Sequence, residues 1–171
     1  MFADELAARR DAVLDRWIES VINAYPDQTA NFLKEQPNRF ANPVGASLRE
    51  GLADIVDGLV TGTDPDDLRQ ALDLVIRVRA VQEFAPAAAV GFIFDLKKIV
   101  RGVVADSAEV PDEFDHGIDR LGLAGFEVYM SCREQLWSIR AKEIRNQSLG
   151  ILERMQAWRE ARARESGTAS G

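Results

Sequence analysis

From Ile118 to Arg164 the sequence contains no proline and no strong helix breaker, which predicts a single helix of more than forty residues. At about 1.5 Å per residue such a helix reaches roughly 60 Å, longer than a small domain is wide. Its first half is therefore expected to pack within a domain and its second half to project. Tyr129, Cys132, Leu136 and Ile139 alternate spacings of three and four, as a coiled-coil seam does, and Ile151, Met155 and Trp158 resume the pattern after the polar interruption Asn146-Gln147-Ser148. A projecting helix with an apolar edge needs a partner, most simply its twofold copy. The sequence thus predicts a homodimer with Leu136, Ile139, Ile151, Met155 and Trp158 at its interface. The competing reading is a frayed surface helix with scattered apolar residues.

The remainder also reads as helical. Leu6, Val13, Leu14, Trp17, Ile18 and Val21 share one face of a helix that Tyr25-Pro26 ends, and a short helix over roughly 28–35 follows. Asn42 can cap the next helix, with Pro43 in the first turn, where no N–H is missed. Leu48, Leu52, Ile55, Val56 and Leu59 make its buried stripe, and Thr61-Gly62 stops it. Asp64-Pro65-Asp66-Asp67 starts another helix with the stripe Leu68, Leu72, Val75, Ile76 and Val81. A further helix is expected from Pro86 to about residue 106, and Pro111-Asp112-Glu113 marks one more start. The fold class is all-α, a compact bundle of about six helices with a long projecting C-terminal helix.

Composition narrows the function. A chain of 171 residues, 46% hydrophobic and 29% charged, is about the size of one domain and can bury a core without disulfides or metal. The single cysteine, Cys132, cannot form an internal disulfide. The first residues mix charges without an apolar leader core, and the longest nearly unbroken apolar run, APAAAVGFIF, is about half the length that spans a bilayer. A soluble, cytoplasmic protein without membrane insertion is expected. Net charge is -7, but residues 133–164 carry eight Arg or Lys against four Glu, so that segment is +4 and the rest -11. The acidic body argues against general binding to nucleic acid or anionic membranes.

The catalytic inventory is thin. His116 is the one histidine, set among Glu113, Asp115 and Asp119, and reads as solvated rather than as a metal or haem ligand. Cys132 on an apolar helix face reads as core. No nucleophile elbow or glycine-rich phosphate loop is present. The spacing Glu50, Asp54, Asp57 resembles one side of a metal-binding bundle, but the Glu-x-x-His partner is missing, so these residues read as a solvated face. The unusual feature is arginine within apolar sequence. In LVIRVRAVQEF, Arg77 and Arg79 alternate with Ile76, Val78 and Val81, and each guanidinium either pairs internally, with Glu50, Asp73 or Asp119, or awaits an anionic group from outside.

Three separated blocks, RFANPVGASLREGL (39–52), IRVRAVQEFAPAAAVGFIFDLKK (76–98) and IDRLGLAGFEVYMSCREQLWSIRAKEIR (118–145), resemble the N-terminal domain of the RsbT co-antagonist protein RsbRD, a bacterial stressosome-type sensory family. The resemblance spans roughly residues 5–145. One departure is Ala85, where a serine cap is expected before Pro86. The resemblance implies a helical sensory domain over 1–145, a helical extension or linker over 146–165 and a disordered tail over 166–171. It also implies a globin-like dimer without haem and without catalysis, whose last helix connects to the part that contacts a switch kinase. No STAS, kinase or DNA-binding sequence occurs in these residues; if the chain is complete, a separate downstream signalling protein is the expected partner, and if it is a fragment, the effector lies in the part cut away.

The expected function is a non-catalytic sensor or adaptor in stress-response signal transduction, without cofactor or metal. Arg49, Arg77, Arg79 and Gln82 are the candidates for a ligand-binding pocket or an internal polar network, and the Arg49-Glu50 pair reads as part of the network. The alternative is a carrier of a small molecule or haem-like cofactor. An enzyme survives only as a metal-dependent carboxylate site.

Overall fold

The computed structural model describes residues 1–35, 40–82, 84–105 and 107–168. Among them are eight α-helices and one 3-10 turn: α1 (Phe2–Ala8), α2 (Arg10–Asn23), α3 (Asp27–Glu35), α4 (Pro43–Thr61), the turn Pro65–Leu68, α5 (Arg69–Val81), α6 (Pro86–Gly91), α7 (Asp95–Val104) and α8 (Asp112–Thr168). No strand occurs among the described residues, and the fold is all-α. The chain divides into two units, Met1–Arg133 and Glu134–Gly171. No helix among the described residues is long and apolar enough to cross a membrane.

Local chemistry sets several boundaries where the sequence places them. The Asn42 side chain accepts from the Gly45 amide at 2.8 Å, and Pro43 opens α4. Gly62 ends α4 with φ 70°, a left-handed conformation that costs a side chain-bearing residue more than glycine. The Asp64 side chain accepts from the Asp66 amide at 3.0 Å and caps the 3-10 turn.

Two expected helices are each split. The N-terminal one breaks at Arg9 (φ -103°, ψ 10°), a kink that still lets Leu6 of α1 and Val13 of α2 both reach the core. The one expected from Pro86 breaks at 92–94, where the amides of Ile93, Phe94, Leu96 and Lys97 bond three residues back rather than four. The break frees the Phe92 carbonyl to accept from the buried Trp17 indole at 2.8 Å, and the two rings stack at 5.6 Å between centroids. These splits explain the departure from about six helices.

The core of the first unit is one cluster that includes Trp17, Leu52, Ile55, Leu72, Ile76, Ile93, Leu96, Ile118 and Leu121. Helix α5 packs against α4, and α2 against both α4 and α7. Helices α4 and α5 approach closely at Gly51, where an added Cβ would lie 2.7 Å from the Ala71 carbonyl oxygen and 2.9 Å from Val75 Cγ2. The first turns of α8 bury Phe114, Ile118, Leu121, Ala124, Tyr129 and Cys132. Outside this apolar line, Lys97 pairs with Asp119 at 2.6 Å, Arg101 with Asp115, Arg120 with Asp64, and Arg69 with Glu127. Such exposed pairs orient α8 more than they stabilise it.

The second unit is the remainder of α8, helical through Thr168, past the point at which a tail is expected from Ser166; residues 169–171 lie outside the described residues.

Gly51→Ala is expected to cost about 1–3 kcal/mol, because both neighbours are backbone or branched core groups that cannot swing away. Gly91→Ala, where an added Cβ meets nothing within 4 Å, is expected to be neutral or stabilising by up to about 1 kcal/mol. Urea unfolding of the two variants checks the contrast.

Candidate functional site

The four polar candidates occupy four different settings. Arg79, in the last turn of α5, is 1% exposed. It donates to the Ala88 carbonyl at 2.7 Å and the Val21 carbonyl at 3.1 Å. The rings of Tyr25, Phe84 and Phe92 stand around it at 5.5, 5.0 and 4.7 Å from their centroids. Val21 lies in the last turn of α2, where carbonyls lack helical partners and the helix dipole is negative. The aromatic faces supply further negative potential. Burial lowers the Arg79 pKa and raises that of Tyr25. A guanidinium sheds water more readily than an ammonium, so this position suits arginine and not lysine. With 1% exposure, no anion reaches Arg79 without opening the core.

Arg77, two residues earlier, projects into solvent and pairs with Asp73 through two hydrogen bonds of 3.0 Å. Asp73 is one of the three internal partners expected for these arginines. Arg49 is partly buried and donates to the Leu33 carbonyl at 2.9 Å, fastening α4 to the end of α3; Arg39, which opens the same sequence block, lies outside the described residues. Gln82 is exposed at the end of α5, its backbone amide bonded to Val78. Among the described residues, no shared pocket gathers Arg49, Arg77, Arg79 and Gln82. Arg49 and Arg79 repeat one structural device, a guanidinium on the C-terminal carbonyls of another helix.

His116 is exposed on α8. Cys132 is buried, with its sulfur 3.7 Å from Asp73 Oδ1. Burial and the nearby carboxylate push its thiol pKa up, which disfavours the reactive thiolate. Asp57, of the Glu50, Asp54, Asp57 set, is bound by Arg10 through bonds of 2.7 and 2.8 Å. Among the described residues, no three His, Cys, Asp or Glu side chains are placed to hold a metal ion.

A pocket of about 420 Å³ that no sequence motif marks lies within the first unit, lined by residues including Phe2, Leu6, Leu59, Pro65, Phe114 and Gly117. Its wall joins α1, the end of α4 and the start of α8. Phe2 and Phe114, both in its wall, meet edge to face at 5.3 Å between centroids. The residues come from distant stretches, and none carries a polar pattern that periodicity could single out. The volume and apolar lining suit a small apolar ligand.

The seam expected along the last helix also resolves differently. Tyr129 and Cys132 face the core of the first unit, Leu136 is half-buried, and Ile139, Ile151, Met155 and Trp158 are exposed. At about 100° per residue, Ile139 lies roughly 120° around the helix from Ile151, so the five interface candidates do not form one stripe. The seam through Ile151, Met155 and Trp158 continues backwards through Ser148, Ile144, Ala141 and Trp137, and Trp137 and Ile144 are exposed.

The family model of the RsbT co-antagonist protein rsbRD N-terminal domain matches residues 11–144. A protein of Archaeoglobus fulgidus, described as an uncharacterized protein, is 24% identical over 139 residues, covering 78% of this chain and 83% of that protein. No solved structure gave a significant match.

Two outcomes follow from this geometry. Arg79→Ala is expected to cost about 3–5 kcal/mol in urea unfolding, from the lost packing and the carbonyls left without their donor, whereas Arg77→Ala should change stability by less than about 1 kcal/mol. Cys132 should resist iodoacetamide in the native protein and react on unfolding, as mass spectrometry of the alkylated chain would record.

Proposed function

The chain belongs to the RsbT co-antagonist protein rsbRD N-terminal domain family, a family of stressosome-type regulatory domains, and we propose that it is a non-catalytic sensor whose input is a small apolar molecule and whose output is its last helix. The observation that carries this reading is the position of the apolar pocket. It lies against the first turns of α8, through Glu113, Phe114 and Gly117, and the same helix runs on to Thr168. A ligand held there touches the root of the output element directly. It changes that element only to the extent that it binds one arrangement of α8 more tightly than another. The signal then passes to a separate protein that docks on residues 134–168. The buried arginine has a structural part in this reading: Arg79 fixes the frame against which α8 moves. A simple carrier would hold its ligand with α8 unchanged, so the response of α8 distinguishes the two roles.

Gly117 supplies the test, since an added Cβ there meets nothing within 4 Å. In Gly117→Leu the new side chain should occupy the pocket. Saturation-transfer NMR with toluene as a small apolar probe is expected to detect binding to the native chain and at least about tenfold weaker binding to the variant. The thermal midpoint of the variant should be no lower, since leucine also favours the helix. Equal binding by both proteins would remove the pocket as the input site.

A further inference from the structure

We infer that the helix from Glu134 onward presents an arginine-flanked apolar seam shaped for an acidic amphipathic helix of another protein, and not for a second copy of itself. Trp137, Ala141, Ile144, Ser148, Ile151, Met155 and Trp158 alternate spacings of four and three, the spacing of the core positions of a two-helix coil. Trp137, Ile144, Ile151, Met155 and Trp158 are each half or more exposed. Of the other exposed apolar residues, Leu152 borders the seam while Ile139 and Leu149 lie elsewhere around the helix, so they are not gathered into the single broad apolar face of a helix that lies in a membrane surface.

The charges beside the seam decide between partners. In that register Arg140 and Arg154 immediately precede the core positions Ala141 and Met155, while Arg145 and Arg159 immediately follow the core positions Ile144 and Trp158. These four flanking positions face the partner's flanking positions in either a parallel or an antiparallel pair. Two copies would therefore set arginine against arginine along both edges. None of the acids of this segment takes a flanking position: Glu143, Glu153 and Glu160 occupy positions away from the seam, and Glu134 and Glu165 fall in line with its core positions just beyond its two ends. At its far end Arg162, the next core position of the register, stacks on Trp158 at 5.0 Å and ends the apolar line with a positive charge. A helix with apolar core positions and glutamates at its flanks meets this surface with opposite charge on both edges. The acidic remainder of the chain, at -11, repels an anionic bilayer and so weighs against a lipid partner.

This inference rests on the output role proposed for α8, but its test reads the surface alone and is indifferent to the pocket. Two fluorescently labelled peptides spanning residues 134–164 serve as probes, one with the native sequence and one carrying R140E, R145E, R154E and R159E. Each is titrated with the full chain and followed by anisotropy. The glutamate peptide is expected to bind at least about tenfold more tightly than the native peptide, and less tightly as salt rises. A full chain bearing the same four substitutions should reverse the preference, with circular dichroism confirming that it remains helical. Native-peptide binding as tight as that of the glutamate peptide would overturn the inference in favour of self-pairing. Binding of neither peptide would also overturn it, as would retention on phosphatidylglycerol vesicles by a chain that ignores the glutamate peptide.

Discussion

The guanidinium of Arg79 is the constraint on which the first unit depends. It reaches the Val21 carbonyl at the end of α2 and the Ala88 carbonyl in α6 from the last turn of α5. Three aromatic rings close around it. Burying a charge without a carboxylate partner is costly, and here the compensation comes from carbonyl dipoles and ring faces. One of those rings, Phe92, sits in the break between α6 and α7 and stacks on Trp17. The break, the tryptophan hydrogen bond and the arginine box are thus one arrangement, and α8 packs through Gly122 and Gly125 against Phe94 and Ile93 beside it.

The start of α8 is held by the core packing of Phe114, Ile118 and Leu121, to which exposed ion pairs such as Lys97–Asp119 add little. In the sensor reading proposed above, Arg79 ties α2, α5 and α6 together, and the pocket near Phe2 and Phe114 offers a small ligand contact with the start of α8.

What is legible in the sequence follows the range of each interaction. Asn42-Pro43, Gly62 and Asp64-Pro65 are local signals, and each acts within a few residues of itself. The break at 92–94 is tied to a distant partner, Trp17, and neither it nor the kink at Arg9 interrupts the apolar spacing, so periodicity alone runs through both. Arg77 and Arg79 look alike in LVIRVRAVQEF, yet only the fold separates an exposed ion pair from a buried tie. The seam of α8 is misregistered when read from Tyr129 and Cys132, because those residues belong to the core, and extending their spacing leads to Ile139 instead of Trp137 and Ile144. The pocket, assembled from α1, α4 and α8, has no signature in any one stretch.

If the domain senses through its apolar pocket, occupancy of that pocket changes α8. Hydrogen exchange of the α8 amides, compared between the native chain and Gly117→Leu, tests this most directly, because the leucine stands in for a bound apolar group. Altered protection along α8 is predicted, with amides of α2 and α5 around Arg79 unchanged. Identical exchange along α8 in the two proteins, with the pocket shown to be filled, would contradict it.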